Sequence, residues 1–195
     1  MRKLATALLA LTVSFVSFAN DGGNNHKLDS EKSVIKWIGK KVGGQHSGGL
    51  TFKDGNVEVK DNKIVAASFS TDMTTITCSD LDGQYGDKLL NHLKSGDFFD
   101  VENHKTAQFA MTKFTSNNDG TGTMVGNLTI KGISQEISFP VKYKVGKGMV
   151  AISGDVKFDR TKFEIKYGSA SFFDGIKDKA IDDEVEFTFA IVAKA

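Results

Sequence analysis

Apolar and polar residues alternate with a period of two along much of this chain, and this alternation constrains the fold more than any other feature. In the segment EISFPVKYKV, Ile137, Phe139 and Val141 occupy alternate positions, with Ser138 and Lys142 on the other set. Successive side chains of a β-strand point to opposite faces, so such a segment has one face for a protein interior and one for solvent. The pattern therefore predicts amphipathic strands.

The same alternation recurs in segments that are separated by turn-forming residues. It is clear in MVAISGDVKFDR and DEVEFTFAIVAKA, and weaker at residues 33–38, 49–52, 64–73, 107–114 and 123–130. Turn signals lie between the segments, at residues 53–55, 61–62, 118–120, 132 and 146–148. Many strands joined by short turns predict an all-β fold, an antiparallel sandwich or barrel. Pro140 lies inside a strand pattern and predicts an edge, a bulge or a seam, because proline has no N–H to donate.

One segment, GDKLLNHLKSGDFFD, breaks the period of two. Leu89 and Leu93 share one face at helical spacing, Asp87 is a candidate N-cap, and Gly96 ends the run. These residues predict a short helical excursion near residues 86–100.

The chain begins MRKLATALLALTVSFVSFAND, which has the layout of a secretory signal peptide. A basic start precedes an apolar run, and Ser17 and Ala19 stand at the −3 and −1 positions of a cleavage site. The alternative is a membrane anchor, but the run is short for the ~20 residues that a spanning helix needs. We expect residues 1–19 to be removed on export to the periplasm and residues 20–195 to form one domain.

Charge and cysteine content narrow the expected partners. The chain has 25 basic and 24 acidic residues, and loss of two basic residues with the signal peptide changes its formal charge from +1 to −1. A nearly neutral domain gives no electrostatic reason to expect nucleic acid or an anionic membrane as a partner. Cys78 is the only cysteine, so an internal disulfide is impossible. A small packed or exposed side chain is favoured for it over a reactive thiol or a link to another chain.

The chain is rich in phenylalanine, which could line the interior of such a barrel. The chain has 15 Phe, against one Trp and three Tyr. About eight strands enclose a space that side chains fill or that holds one small ligand. With an apolar lining, each CH₂ of a bound alkyl chain would contribute about 0.8 kcal/mol to binding, without any polar contact. The pattern alone favours a packed core over a pocket.

Histidines are the first candidates for chemistry, yet their spacing argues against a metal site. None of the four forms a His-x-His or His-Glu-x-x-His pair: His26, His46, His92 and His104. His92 and His104, with nearby carboxylates, form the basis of one hypothesis, a metal-dependent hydrolase. A partly buried, hydrogen-bonded His92 and an exposed His104 are favoured instead.

Carboxylates and serines give no stronger signal for catalysis. The acidic residues before the last strand offer the carboxylate pair of a glycoside hydrolase, although a solvated barrel rim is favoured for them: Asp178, Asp182, Asp183 and Glu184. No serine lies in a Gly-x-Ser-x-Gly nucleophile elbow, and no glycine-rich phosphate loop follows a strand. We therefore expect no catalytic residue, no metal and no cofactor.

Several segments, in order along the chain, resemble the YceI-like family of polyisoprenoid-binding, lipocalin-like proteins. They are HKLDSEKSVIKWIGKKVGGQHSGGLTFKDG, HLKSGDFFDVENHKTAQF, GNLTIKGISQEISFPV, DRTKFEIKYGS and AIDDEVEFTFAIVA. The resemblance covers nearly the whole chain after residue 19. It implies an eight-stranded antiparallel lipocalin-like barrel with a long apolar pocket for an isoprenoid or similar amphiphilic lipid, in the periplasm.

The chain departs from the family pattern at three places. Lys131 stands where the family often has His in a turn, a Pro often found near residues 135–136 is absent, and Glu164 stands where many members have Gly. We expect the charge of Glu164 to narrow or polarise one end of the pocket.

The resemblance shifts the prediction from a packed core to a pocket in a lipid carrier or sequestering protein rather than an enzyme. The predicted lining consists of Trp37, Leu50, Phe52, Phe69, Phe109, Leu128, Ile130, Phe139, Val141, Tyr143, Ile152, Phe158, Phe187 and Phe189. Tyr143 also offers a polar handle. The alternatives are the metal-dependent hydrolase and a filled-barrel stress or interaction protein whose loops bind a partner. An edge at Pro140 also allows a homodimer.

Overall fold

The alternating segments form the strands of one antiparallel sheet. In a computed structural model that describes residues 23–195, and Lys177 by its backbone alone, the strands are β1 (Asn24–Leu28), β2 (Val34–Lys41), β3 (Gly44–Lys60), β4 (Lys63–Asp72), β5 (Thr106–Ser116), β6 (Thr121–Ile130), β7 (Ile133–Gly146), β8 (Met149–Asp159) and β9 (Ile181–Lys194). The predicted signal peptide, residues 1–19, lies outside the described residues.

Eight of the strands close into a barrel in up-and-down order. From β2 to β9 each strand pairs antiparallel with the next in the chain, and β9 pairs with β2 to complete the ring. The short β1 is a ninth strand that pairs with one end of β3 and of β9. The predicted eight-stranded antiparallel barrel is confirmed. Closure suits the alternating sequence, because each strand then has one face inside and one in solvent.

Tight turns join the hairpins where the sequence predicts them. Both turn residues have positive φ at Asp61 and Asn62, at Lys131 and Gly132, and at Lys147 and Gly148. Such turns match the right-handed twist of the strands they connect.

The turn predicted at residues 53–55 is wrong. These residues lie inside the 17-residue β3, and the β3–β4 register shifts between Phe52 and Asp54, which marks a bulge. Gly55 allows the Phe69 ring to pack against the backbone there, since a Cβ would lie 2.6 Å from that ring.

Pro140 lies at a seam in the barrel wall. The β7–β8 pairing runs from Val141↔Gly154 to Gly146↔Met149, whereas Pro140 pairs with Thr123 of β6. Its missing N–H therefore removes no β7–β8 hydrogen bond. Beyond this point Gln135 Nε2 of β7 donates to the Lys162 carbonyl of the 3₁₀ turn Arg160–Phe163 at 3.3 Å. The prediction of an edge, a bulge or a seam at Pro140 is confirmed as the end of the β7–β8 ladder, since residues 133–140 of β7 pair with β6 and not with β8. The homodimer stays a prediction.

The helical excursion connects β4 to β5. A 3₁₀ turn (Met73–Thr75) is followed by α1 (Gly83–Lys94), with Asp82 at the N-cap position and Ser95 at the C-cap. The helix therefore begins earlier than predicted, and Asp87 lies inside it. Its apolar residues pack toward the barrel, led by the buried Leu93.

The inward side chains form two apolar clusters along the barrel. One cluster lies toward β1 and includes Val57, Val150, Ile152 and Ala193; we call this the β1 end. The other lies under α1 and includes Trp37, Leu93, Phe158 and Phe163; we call this the helix end. Within residues 23–195, no helix has the length and apolar character to cross a membrane.

Candidate functional site

The inward faces of the strands leave an open cavity rather than a filled core. Its volume is about 110 Å³. Each barrel strand contributes to the wall, and the polar residues in it are Ser70, Thr71 and Gln108. Small-molecule pockets typically measure about 300–1,000 Å³ and are mostly apolar. The wall of this first cavity therefore has the apolar surface of a site for an apolar ligand.

A second cavity of about 90 Å³ lies at the helix end. Its apolar wall comes from α1, the turn after it and the barrel, and includes Trp37, Leu89, Leu93, Phe98 and Ile165. Charged or titratable side chains border it at Lys40, Lys41, His46 and Arg160. Leu50, Phe99 and Phe187 line both cavities, so the two spaces adjoin.

Eleven of the fourteen predicted lining residues lie on a cavity wall. They are Trp37, Leu50, Phe52, Phe69, Phe109, Leu128, Ile130, Phe139, Phe158, Phe187 and Phe189. Their contact with a ligand stays a prediction.

The other three, Val141, Tyr143 and Ile152, line neither cavity. They belong to the β1 end, where Val141 is 3% exposed and Ile152 is 1% exposed. The Tyr143 hydroxyl forms a hydrogen bond with Ser116 Oγ at 2.6 Å, so it offers the cavity no polar handle. The inward phase was right for all three, but their position along the barrel axis places them in packed core.

Sequence reasoning missed several wall residues. Ile137, Val156 and Ile191 line the first cavity and continue the alternation of strands already recognised, so the pattern contained them. Met73 and Phe99 also line it, but they come from the excursion outside the strands. Met73 ends the weaker alternation at residues 64–73, and Phe99 stands in the segment GDKLLNHLKSGDFFD that breaks the period of two.

The excursion is attached to the barrel by main-chain hydrogen bonds to β3. The Thr77 N–H donates to the Gly49 carbonyl at 3.0 Å, and the Ser79 N–H donates to the Ser47 carbonyl at 2.8 Å. Trp37 Nε1 adds a hydrogen bond to the Thr77 carbonyl at 3.0 Å. The segment before α1 thus continues the sheet at the rim of the second cavity.

A carboxylate strengthens this attachment. Asp80 accepts hydrogen bonds from the Ser47 N–H at 2.7 Å and from Cys78 Sγ at 3.4 Å, and it pairs with His46 Nδ1 at 2.8 Å. Desolvation raises the pKa of Asp80, but these hydrogen bonds outweigh it and hold the pKa below its ordinary value. Cys78 is half-buried, and its role as a packed side chain rather than a reactive thiol or a link to another chain stays a prediction.

Arg160 is a buried cation at the edge of the second cavity, and it organises the loop before β9. Its side chain is 2% exposed, and burial lowers its pKa while Asp183 opposes that shift. The guanidinium pairs with Asp183 Oδ1 at 3.5 Å. It also donates to four carbonyl oxygens at 2.7–3.0 Å, those of Ile165, Tyr167, Ile181 and Asp182. Its five N–H groups are used in these contacts, so Arg160 acts as a clamp on the loop and not as an anion site.

The two histidines of the hydrolase hypothesis do not converge. His92 Nε2 lies 3.7 Å from Asp97, and His104 Nε2 lies 3.8 Å from Asp100. Among the described residues, no three His, Cys, Asp or Glu side chains are grouped to hold a metal ion. The His92 ring instead packs edge-on against Tyr167, with centroids 4.3 Å apart. It is half-buried, as the sequence predicted. His104 is half-buried rather than exposed.

The expectation for Glu164 is wrong. Its side chain is exposed, forms an ion pair with Lys166 at 2.6 Å and does not line either cavity. Glu164 has φ +57° at the end of the 3₁₀ turn, a left-handed conformation that favours glycine. Lys131 Nζ, at the other departure, donates to the Glu164 and Gly96 carbonyls at 3.4 and 3.5 Å. Both departures therefore concern loop geometry.

The acidic residues expected before the last strand lie around its start, Asp178 before β9 and the other three within its first four residues, where they solvate and brace the rim. Asp183 accepts a hydrogen bond from Ser171 at 2.6 Å besides its pair with Arg160. Glu184 forms an ion pair with Lys157 at 3.2 Å, and Asp178 and Asp182 are exposed.

The family model described as the YceI-like domain matches residues 26–193. This range covers all nine strands except Asn24 and Asn25 of β1 and Lys194 of β9. This chain belongs to the YceI-like family. The resemblance drawn from the ordered motifs is thereby confirmed.

Relatives and solved structures agree with membership of the YceI-like family. A UPF0312 protein of Pseudomonas putida (strain F1) is 30% identical over 152 residues, 76% of each chain. The crystal structure of Burkholderia cenocepacia BcnA has a TM-score of 0.69 and 21% identity, over 86% of this chain and 99% of that one. A polyisoprenoid-binding domain from Saccharophagus degradans has a TM-score of 0.61 and 10% identity, over 87% and 98%. At these identities the structural likeness shows the YceI-like fold alone.

Proposed function

We propose that this protein binds a polyisoprenoid or a similar long-chain amphiphilic lipid inside its barrel, as a carrier or sequestering protein. The observation that carries the proposal is the pair of adjoining apolar cavities, whose walls come from the inward faces of the barrel and from the excursion. An apolar chain placed there leaves water without requiring a polar partner, and each buried CH₂ contributes about 0.8 kcal/mol.

Two further observations support binding rather than catalysis. A structural relative in the YceI-like fold is described as a polyisoprenoid-binding domain. His92 lies beside Asp97, His104 beside Asp100 and Asp183 beside Arg160. None of these side chains lines the first cavity. The open interior also favours a ligand pocket over a filled barrel.

Native mass spectrometry of protein purified without detergent from its own organism tests the proposal. We expect a mass above that of the polypeptide, and solvent extraction should release a long-chain lipid. An apo mass together with lipid-free extracts would count against the carrier role. Light scattering of the same sample measures the oligomeric state and tests the homodimer.

Export to the periplasm is a part of the proposal that depends on the first 19 residues. We expect cell fractionation to recover the protein in the periplasm, with a mature N-terminus near Asn20. Protein that keeps Met1 and stays with the membrane fraction would favour the anchor alternative.

A further inference from the structure

Phe99 lies between the two cavities and differs from the other residues that border both. Leu50 and Phe187 belong to β3 and β9, where Leu50 pairs with Ile35 and Phe187 pairs with Trp37. Sheet hydrogen bonds hold those two in the barrel wall. Phe99 comes from the turn between α1 and β5, so its ring enters the boundary from outside the wall.

The backbone of this turn is held by a dense set of hydrogen bonds. The Phe99 N–H donates to the Leu93 carbonyl at 3.1 Å, and the Asp100 N–H donates to the Ser95 carbonyl at 2.8 Å. Asp100 has φ +47°, and its carboxylate accepts from Asn103 Nδ2 at 3.0 and 3.1 Å. The main chain at Phe99 is therefore fixed, and its ring moves only by rotation about the side-chain torsions.

The neighbouring phenylalanine has a different role. Phe98 is 7% exposed, lies 5.1 Å from the His92 ring and has the Arg160 guanidinium 5.8 Å from its centroid. Phe99 is half-buried, and its ring centroid lies 6.3 Å from that of Phe98. The Phe98 ring therefore anchors the turn on the protein, whereas the Phe99 ring stands at the boundary of the two cavities.

We propose that Phe99 determines the chain length of the lipid that this barrel accepts. This inference rests on the proposed function. With the ring between the cavities, a short chain occupies the first cavity and stops at Phe99. A longer chain enters the cavity under α1 only after the ring rotates away, and this change of rotamer opposes its binding. Phe99 is therefore a specificity residue, while the wall residues supply general apolar surface.

Trp37 gives a direct readout of entry into the second cavity. It is the only tryptophan in the chain, and it lines the second cavity and not the first. The probes are farnesol, a short prenyl alcohol, and solanesol, a long one, each delivered from cyclodextrin to lipid-stripped protein. We expect solanesol to shift the Trp37 emission and farnesol to leave it unchanged.

Phe99→Leu tests the assignment when its affinities for both alcohols are measured by calorimetry. We expect the ratio of solanesol affinity to farnesol affinity to rise by about twofold to tenfold, because the rotamer change no longer opposes the longer chain. Phe109→Leu is the matched control, since Phe109 is also half-buried but lines the first cavity alone. It should change both affinities together and leave the ratio unaltered.

Two results would overturn the assignment: an unchanged ratio in Phe99→Leu, or equal Trp37 responses to both alcohols in the natural protein. Phe99→Met provides a second variant if Phe99→Leu does not fold, and the same rise in the ratio is expected. If neither alcohol binds the natural protein, the proposed function fails for prenyl chains, and this outcome is distinct from the failure of Phe99 as a length determinant.

Discussion

Trp37 on β2 donates a hydrogen bond from Nε1 to the carbonyl oxygen of Thr77, 3.0 Å away. The bond joins the barrel wall to the segment that leads into α1, and it passes close to β3 at Gly48. A Cβ on Gly48 would lie 1.8 Å from the Thr77 oxygen and 2.7 Å from Nε1. The attachment of the excursion at the helix end therefore depends on a residue without a side chain.

Gly48→Ala should detach this segment. We expect the free energy of unfolding to fall by about 1–3 kcal/mol, because the added methyl meets backbone atoms that must move. Urea denaturation measures the change. Gly44→Ala, on the same strand, is the control; a Cβ there meets no atom within 4 Å, and its effect should stay within about 0.5 kcal/mol. Equal effects of the two variants would contradict the close-approach argument.

Arg160→Lys should destabilise the protein although it keeps the charge. A lysine ammonium has three donors at one point and cannot reach the four carbonyl oxygens that the guanidinium spans. We expect a loss of about 2–4 kcal/mol, since buried acceptors lose their partners, with faster proteolysis between residues 164 and 180. Lys162→Met, at an exposed position of the same 3₁₀ turn, should be nearly neutral. A stable, protease-resistant Arg160→Lys protein would disprove the clamp.

Glu164→Gly should stabilise the protein despite the loss of an ion pair. The residue has φ +57°, where glycine avoids a Cβ penalty of about 1–2 kcal/mol, whereas an exposed ion pair contributes about 0–1 kcal/mol. Glu164→Ala removes the Lys166 pair and keeps the Cβ, so it serves as the control and should not stabilise. Thermal unfolding compares the two variants. A higher stability for Ala than for Gly would show that the backbone is not strained at this position.

Asp29→Asn should remove a contribution to stability that disappears in acid. A hydrogen bond from Lys194, at 2.5 Å, lowers the pKa of Asp29 below 3.8. Because the folded state favours the charged carboxylate, the contribution is present above pH 3.8 and is lost as the pH falls through the lowered pKa. Urea midpoints of the two proteins should therefore differ near neutral pH and converge in strong acid. A difference that is independent of pH would rule out the ion pair as its source.

Alanine substitutions should separate packed core from cavity wall. Ile152 is 1% exposed at the β1 end, so Ile152→Ala should lower the free energy of unfolding by about 2–5 kcal/mol. Leu128 is half-buried on the wall of the first cavity, so Leu128→Ala should destabilise less and weaken farnesol binding by up to about tenfold. Urea denaturation measures the free energy of unfolding, and calorimetry measures the affinity for farnesol. The reverse order of stabilities would mean that the cavity is filled and the β1 end is loose.

Much of this fold could be predicted from the sequence, because it depends on local physical chemistry. The period of two identified the strands and their inward faces, because neighbouring side chains of a strand must point to opposite sides. Asp61, Asn62 and Gly132 marked turns, because few residues adopt positive φ. Pro140 marked a seam because it lacks an N–H. The same local signal misled at residues 53–55, where glycine admits the Phe69 ring inside a long strand, a role that a turn glycine resembles in sequence.

Only the tertiary structure decided where the inward side chains pack against each other and where they leave a cavity. Phe139 and Val141 share one phase of β7 and one apolar cluster, yet Phe139 lines the first cavity and Val141 does not. That difference depends on distances across the barrel, which a one-dimensional pattern does not contain. Arg160 obtains part of its role in the same way. Its partners in β9, the Ile181 and Asp182 carbonyls and the Asp183 carboxylate, are more than 20 residues away in the sequence and meet it only in the folded chain.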